Sequence, residues 1–202
     1  FDLTRALKRV LIRAAGLPIQ IIHYVTARCN LRCEHCFYKE TLDTPDPGEI
    51  SLQRLEKTTK QIGPILWYSL GGGEPILRKD LVELAEIIHN NCRPRVFSFP
   101  SNGWYVERTF DLMLRMVQKL PDQTILIFIS LDGPKDIHDK IRGEGSFDRA
   151  RETMERLRPL LSSTSMIAPQ SMDGPVAGSK RSGTRRRNRF RTFSFFIPRI
   201  EL

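Results

Sequence analysis

The chain has 202 residues, of which 40% are hydrophobic and 27% charged, so it can build one domain with a real core. No apolar run reaches the 18 or so residues of a membrane span, and basic residues interrupt 1–16, which therefore does not read as a signal peptide. The formal charge is +9, but residues 163–202 hold eight Lys or Arg against two acidic residues, so the basic balance says little about what the body binds.

In chain order, residues 1–15 carry a helical period. Leu3, Leu7, Val10, Leu11 and Ala14 share a face, while Arg5, Lys8, Arg9 and Arg13 lie mostly elsewhere. Such a helix either rests on a membrane surface or caps the domain, and the second is the plainer reading of segment 1–18, which Gly16 and Pro18 close. Strands and helices then alternate. Strands are expected at 19–26, 65–70, 95–99 and 124–131, the last a nearly unbroken apolar run of the kind parallel sheets bury on both faces. Helices are expected from Ser51 to about 62, from Asp80 to about 90 with Glu83 completing a capping box, at 107–119, and from a Ser146 cap to about 161. Four strand–helix units in sequence imply a parallel sheet with right-handed crossovers.

The unusual residues fall just after the strands. Cys29, Cys33 and Cys36 follow the first, Gly71, Gly72, Gly73 and Glu74 the second, Ser101 and Asn102 the third, Asp132 and Gly133 the fourth. Ligand sites in parallel α/β folds gather at these carboxyl ends. From 163 the texture changes to Ser, Gly, Pro and Arg, a composition that reads as a basic, disordered tail. Residues 165–168 offer at most four residues of strand, and Pro169 is expected to stop it.

With no secretory signal the compartment is expected to be reducing and cytoplasmic, where clustered cysteines bind metal. The CxxxCxxC triad offers three thiolates on one loop, enough for three irons of a [4Fe-4S] cluster with the fourth left open. The same cysteines with His35 or His23 would also suit zinc. Cys92, remote from the loop, reads as a small filler residue. The glycine run either lets backbone approach a ligand or makes a tight turn; it lacks the Lys-Ser/Thr ending of a phosphate loop. Ser101 and Ser130 suit strand-end capping or ligand contact, and Asp132 with Arg142 either a structural ion pair or an active-site role.

In combination these segments resemble the radical S-adenosylmethionine (SAM) enzymes. The triad followed by Phe37-Tyr38 resembles the family signature, and Gly71-Gly72-Gly73-Glu74-Pro75 its GGEP motif. Ser101-Asn102-Gly103 resembles its TNG segment, and Ser130-Leu131-Asp132-Gly133 its S(L/I)DG segment. His138-Asp139-Lys140-Ile141-Arg142-Gly143 resembles the HDxxRG stretch of its peptide- and cofactor-modifying branches. The match runs from about 19 to 161; His35 stands where the family often has an aromatic.

The resemblance implies an α/β fold, a partial (β/α) barrel of parallel strands over 19–162, with about four of the family's usual six βα units. It implies a [4Fe-4S] cluster on Cys29, Cys33 and Cys36, and SAM contacts from Gly71, Gly72, Gly73, Glu74, Ser101, Asn102 and Ser130, the glycine turn receiving the methionyl ammonium. The implied reaction is reductive cleavage of SAM to a 5′-deoxyadenosyl radical that takes hydrogen from an unknown small-molecule or peptide substrate, fed by an electron donor such as flavodoxin or ferredoxin. With Cys92 the one cysteine left, an auxiliary cluster is not expected. A bulky residue at Gly72 is expected to weaken SAM binding and leave the cluster intact. The missing units make a truncated, inactive piece one alternative. A zinc- or cluster-stabilised binding protein whose basic tail contacts nucleic acid is another.

Overall fold

A computed structural model describes residues 18–43, 49–160 and 169–170. The helix expected over 1–15 and the tail, apart from Pro169 and Gln170, lie outside the described residues.

The elements are β1 (Gln20–Tyr24), α1 (Leu52–Ile62), β2 (Trp67–Gly71), a 3-10 turn (Pro75–Leu77), α2 (Leu81–Cys92), β3 (Val96–Ser101), α3 (Val106–Lys119), β4 (Thr124–Ser130), α4 (Lys135–Arg142), α5 (Ser146–Leu157), a second 3-10 turn (Arg158–Leu160) and β5 (Pro169–Gln170). The strands form one parallel sheet in the order β1-β2-β3-β4-β5. Sequential order with right-handed crossovers puts the connecting helices on one face and leaves the other open, which is how a barrel begins. The α/β class and the parallel strand–helix alternation read from the sequence are therefore what the chain adopts.

Period-two alternation decides what each face carries. Ile21, Tyr68, Leu70, Phe97, Phe99, Ile125, Ile127 and Ile129 join the hydrophobic core beneath the helices. The alternate residues, among them Ile22, Tyr24, Trp67, Ser69, Ser98 and Phe128, line an open cavity on the opposite face. Cys92 is fully buried in the core, its thiol against the Thr59 carbonyl oxygen, the filler role expected of it.

The helix starts follow the sequence in part. Ser51 caps α1, its hydroxyl accepting the Arg54 N–H at 3.3 Å. Asp80 precedes α2, but its side chain makes no cap: Arg78 holds the carboxylate at 2.8 Å, so no capping box forms. Ser146 is the first residue of α5 rather than its cap. Gly145 takes the N-cap position, while Asp139 accepts both the Ser146 hydroxyl (3.1 Å) and the Phe147 N–H (2.8 Å). Helix α4 is absent from the pattern-based reading: it is eight residues long, mostly charged, and buries one side chain, His138. Proline does not stop the last strand either. Pro169 and Gln170 pair in parallel with Ile129 and Ser130. Proline's missing N–H costs nothing at a strand's first residue, so β4 is not the sheet edge along that stretch.

Candidate active site

The ten residues read as cluster ligands or SAM contacts all line one cavity of about 510 Å³ at the carboxyl ends of the strands; Asp132, Gly133 and His23 do not line it. The ten arrive from separate segments, and the intervening geometry shows how the loop bearing the cysteines is held.

The loop leaves β1 at Val25. It closes on itself through the Cys36 N–H to the Cys33 carbonyl (3.1 Å) and the Asp43 N–H to the Ala27 carbonyl (3.2 Å). Arg32 adds bonds to the carbonyls of Cys29 and Leu31 and an ion pair with Asp43. All three cysteines are free thiols; Cys33 is buried, Cys29 and Cys36 partly so. Burial pushes the Cys29 thiol up to about 11 and raises that of Cys33.

On one side the loop's entry is clamped by the glycine turn. The Gly73 N–H donates to the Thr26 carbonyl and the Glu74 N–H to that of Arg28, each at 2.8 Å. A Cβ on Gly72, where φ is +126°, would stand 2.3 Å from the Thr26 carbonyl oxygen. One on Gly73 would stand 2.4 Å from that of Arg28. These two positions exclude side chains because backbone presses on them. The expectation that a bulky residue at Gly72 would spare the cysteine loop is thereby corrected. Gly71 is different: its Cβ would meet the Tyr24 ring at an ordinary 3.4 Å, on the cavity side.

Below the turn, Arg78 is 2% exposed and donates to the carbonyls of Val25 (2.9 Å) and Ile50 (2.6 Å), fixing the exit of β1. Glu74 is also 2% exposed. Its carboxylate accepts the Asn102 N–H at 2.7 Å, and burial pushes it up to about 7 against the pull of the Asn102 N–H, Ser101, the Ile76 N–H and Arg142. Ser101 accepts the Gly103 N–H at 3.1 Å, and Asn102 donates its amide to Asn30 in the cysteine loop at 2.9 Å. Glu74, Ser101 and Asn102 thus tie three segments together, whereas Ser130 turns a side chain with no hydrogen-bond partner among the described residues to the cavity.

On the other side stands the end of α4. Asp132 takes two donors of Arg142, Nε at 2.5 Å and Nη2 at 3.1 Å, and Arg142 Nη1 lies 4.0 Å from Cys33 Sγ. The Glu34 N–H reaches the Ile141 carbonyl at 2.9 Å. His138, fully buried behind the pair, accepts the Asp132 N–H on Nδ1 at 3.2 Å. Burial first, then Arg142, lowers its pKa. The imidazole is neutral, so its 3.6 Å approach to Asp132 is not an ion pair.

Sequence reasoning missed Tyr24, Trp67, Ser69, Ser98 and Phe128, which also line the cavity. Counting by twos back from the motif at each strand end finds them. Trp67 Nε1 donates to Ser98 Oγ at 2.7 Å, and Ser98 to Ser69 Oγ at 3.2 Å, a short polar row in a largely apolar floor. Tyr24, Phe37 and Tyr38 form a ring cluster at the mouth, beside the His35 that departs from the family's usual aromatic.

Three curated proteins are similar to this chain in sequence. The Fe-coproporphyrin III synthase of Methanosarcina barkeri is 33% identical over 136 residues, 64% of this chain and 31% of that protein. The mycofactocin maturase MftC of Mycobacterium tuberculosis is 30% identical over 148 residues, 72% and 36%. The pre-heme d1 synthase of Dinoroseobacter shibae is 32% identical over 146 residues, 68% and 33%. The chain spans about a third of the length of these relatives. Two solved structures share the fold: anSMEcpe with bound AdoMet, at 24% identity and a TM-score of 0.51 over 69% of this chain and 40% of that one, and Streptococcus suis SuiB bound to S-adenosylmethionine, at 19% and 0.51 over 77% and 36%. The family model of the radical SAM superfamily matches residues 23–169, a span that takes in all ten site residues. The chain belongs to the radical SAM superfamily, a family of enzymes.

Proposed function

We propose that this chain is the cofactor-holding core of a radical SAM enzyme, with Cys29, Cys33 and Cys36 as ligands of a [4Fe-4S] cluster. The observation that carries this reading is the convergence on one cavity of three free thiols with the glycine turn and the ends of β3 and β4. The donor set fits the group: it is thiol only, and a cluster takes each cysteine on a different iron. Zinc would need its donors around a single point, and among the described residues no three His, Cys, Asp or Glu side chains gather so. The nucleic-acid reading rests on residues outside the described ones and gains no support from the cavity.

Held by Cys29, Cys33 and Cys36, such a cluster would supply the low-potential one-electron reduction that reductive cleavage of SAM requires. The chain's own residues do the positioning. Gly71 and Ser130 face the cavity and contact SAM. Gly72, Gly73, Glu74, Ser101 and Asn102 hold the shape of that wall. Ile22, Tyr24, Trp67 and Phe128 give the cavity an apolar floor. The substrate is a small molecule or a peptide, in line with relatives named as synthases and maturases. Flavodoxin or ferredoxin is the expected donor of the electron. No helix among the described residues is long and apolar enough to cross a membrane.

Substrate-independent cleavage tests this. The chain, reconstituted anaerobically with iron and sulfide and supplied with dithionite and SAM, should release 5′-deoxyadenosine, and Cys33→Ala should release none. An assembled cluster that leaves SAM uncleaved and unbound would contradict the proposal.

A further inference from the structure

The ion pair of Arg142 and Asp132 is a costly thing to bury. Both side chains are nearly inaccessible, 10% and 8% exposed, and desolvation offsets most of what a charge pair gains. As a fold-stabilising device it has little advantage over an apolar pair, and its position suggests what else it does. The guanidinium fork is divided. Nε and Nη2 are spent on Asp132, while Nη1 is turned to Cys33 Sγ at 4.0 Å and the side chain lines the cavity. The backbone keeps this register, because the Glu34 N–H next to Cys33 is bonded to the Ile141 carbonyl next to Arg142. Asp132 is fixed in turn by the Asp132 N–H to His138 Nδ1, with His138 fully buried against Phe147. The charges facing the pair from the packed elements are few. Glu74 approaches from the β2 turn, and around the adjoining His138 stand Asp139 on α4, engaged by Ser146 and Phe147, and His35 from the cysteine loop.

We propose that Arg142 and Asp132 form an electrostatic pair that sets the reduction potential of the cluster through Cys33, Arg142 raising it and Asp132 moderating that effect. The inference rests on the cluster reading given above. Reduction adds a negative charge to the cluster, so a guanidinium beside a ligating sulfur favours the reduced form, and hydrogen bonds and net charge near the sulfurs are established levers on cluster potential. The carboxylate acts in the opposite sense, and the low dielectric of a buried site keeps both effects from being screened away. Arg142 is here a tuning residue for the cluster, not a contact to substrate.

The two partners therefore predict shifts of opposite sign, which a merely structural pair would not give. The test is a redox titration of the anaerobically reconstituted chain, followed by electron paramagnetic resonance, with iron, sulfide and far-ultraviolet circular dichroism measured on each protein. Arg142→Gln should move the midpoint to more negative potential and Asp132→Asn to more positive potential, each with iron content near wild type, while Arg142→Lys should lie between Arg142→Gln and wild type. Equal midpoints in Asp132→Asn and wild type, or shifts of the same sign in both variants, would overturn the proposal. If Arg142→Gln fails to fold, the Asp132→Asn and Arg142→Lys shifts decide alone. A wild-type chain that takes up no iron and sulfide overturns the cluster reading itself, and this proposal with it, a result distinct from an assembled cluster of unmoved potential.

Discussion

The cysteine loop is held from two sides, by the glycine turn after β2 and by the end of α4, and the two differ in kind. At Gly72 and Gly73 the contact is backbone on backbone, with room for no extra atom. At Arg142 it is charge, with one backbone hydrogen bond beside it. A steric contact of this sort is all-or-none, because packed backbone relaxes poorly. An electrostatic contact is graded and can be altered without moving the loop. Damage on the first side should therefore change stability and iron content together, and damage on the second should move the potential of the cluster that assembles, in addition to the cost of leaving a buried charge unpaired.

The largest effect belongs to the steric side. Gly72→Val puts a β-branched residue at φ +126° and drives its Cβ into the Thr26 carbonyl, so we expect a loss of about 4 kcal/mol or more, read from chemical denaturation, and little bound iron after reconstitution. A Gly72→Val chain with full iron and wild-type stability would dissolve the distinction between the two sides. Next comes Arg78, which fixes the exit of β1 from beneath. Arg78→Met strands the buried Val25 carbonyl and the partly buried Ile50 carbonyl, and should cost about 3 kcal/mol while leaving the potential of any cluster that assembles unchanged.

What the sequence disclosed and what it withheld follow the same division. Strand ends, the motif order and the cysteine spacing are local patterns, and the ten residues read as cluster ligands or SAM contacts meet at one cavity. The direction in which a glycine's absent side chain would point is not a local pattern. Gly71 and Gly72 read alike in sequence, yet one faces the cavity and the other the backbone of Thr26. Helix α4 was illegible because eight mostly charged residues carry almost no apolar period; it is fixed by tertiary contacts, His138 in the interior and Asp139 at the start of α5. Ser146 and Asp80 were misread as caps because each side chain has a stronger partner, Asp139 and Arg78, that spacing alone does not reveal.

A smaller effect should appear with pH. Burial, then Arg78, lowers the pKa of His23 on β1 from 6.5 to about 4. The unfolded chain therefore binds the proton first. The stability that His23 contributes is present above about pH 6.5 and is lost as pH falls toward 4. Between those limits the metal-free chain should lose about 1–2 kcal/mol, allowing for partial exposure, and His23→Gln should flatten that part of the profile. An unchanged slope in His23→Gln would assign the pH dependence elsewhere. The smallest effect on stability is expected at Gly71. Gly71→Ala adds one methyl in ordinary contact with the Tyr24 ring, so the fold should change by less than about 1 kcal/mol and iron content should hold. Its SAM affinity by calorimetry should fall roughly tenfold, since the methyl enters the cavity. Unaltered affinity would remove Gly71 from the SAM-contacting wall.

The claim beneath all of these is that three cysteines on one loop hold an iron–sulfur cluster. Iron and acid-labile sulfide counted on the anaerobically reconstituted chain test it most directly. The account predicts about four of each per chain, lost in Cys33→Ala. One zinc per chain with no sulfide would contradict it.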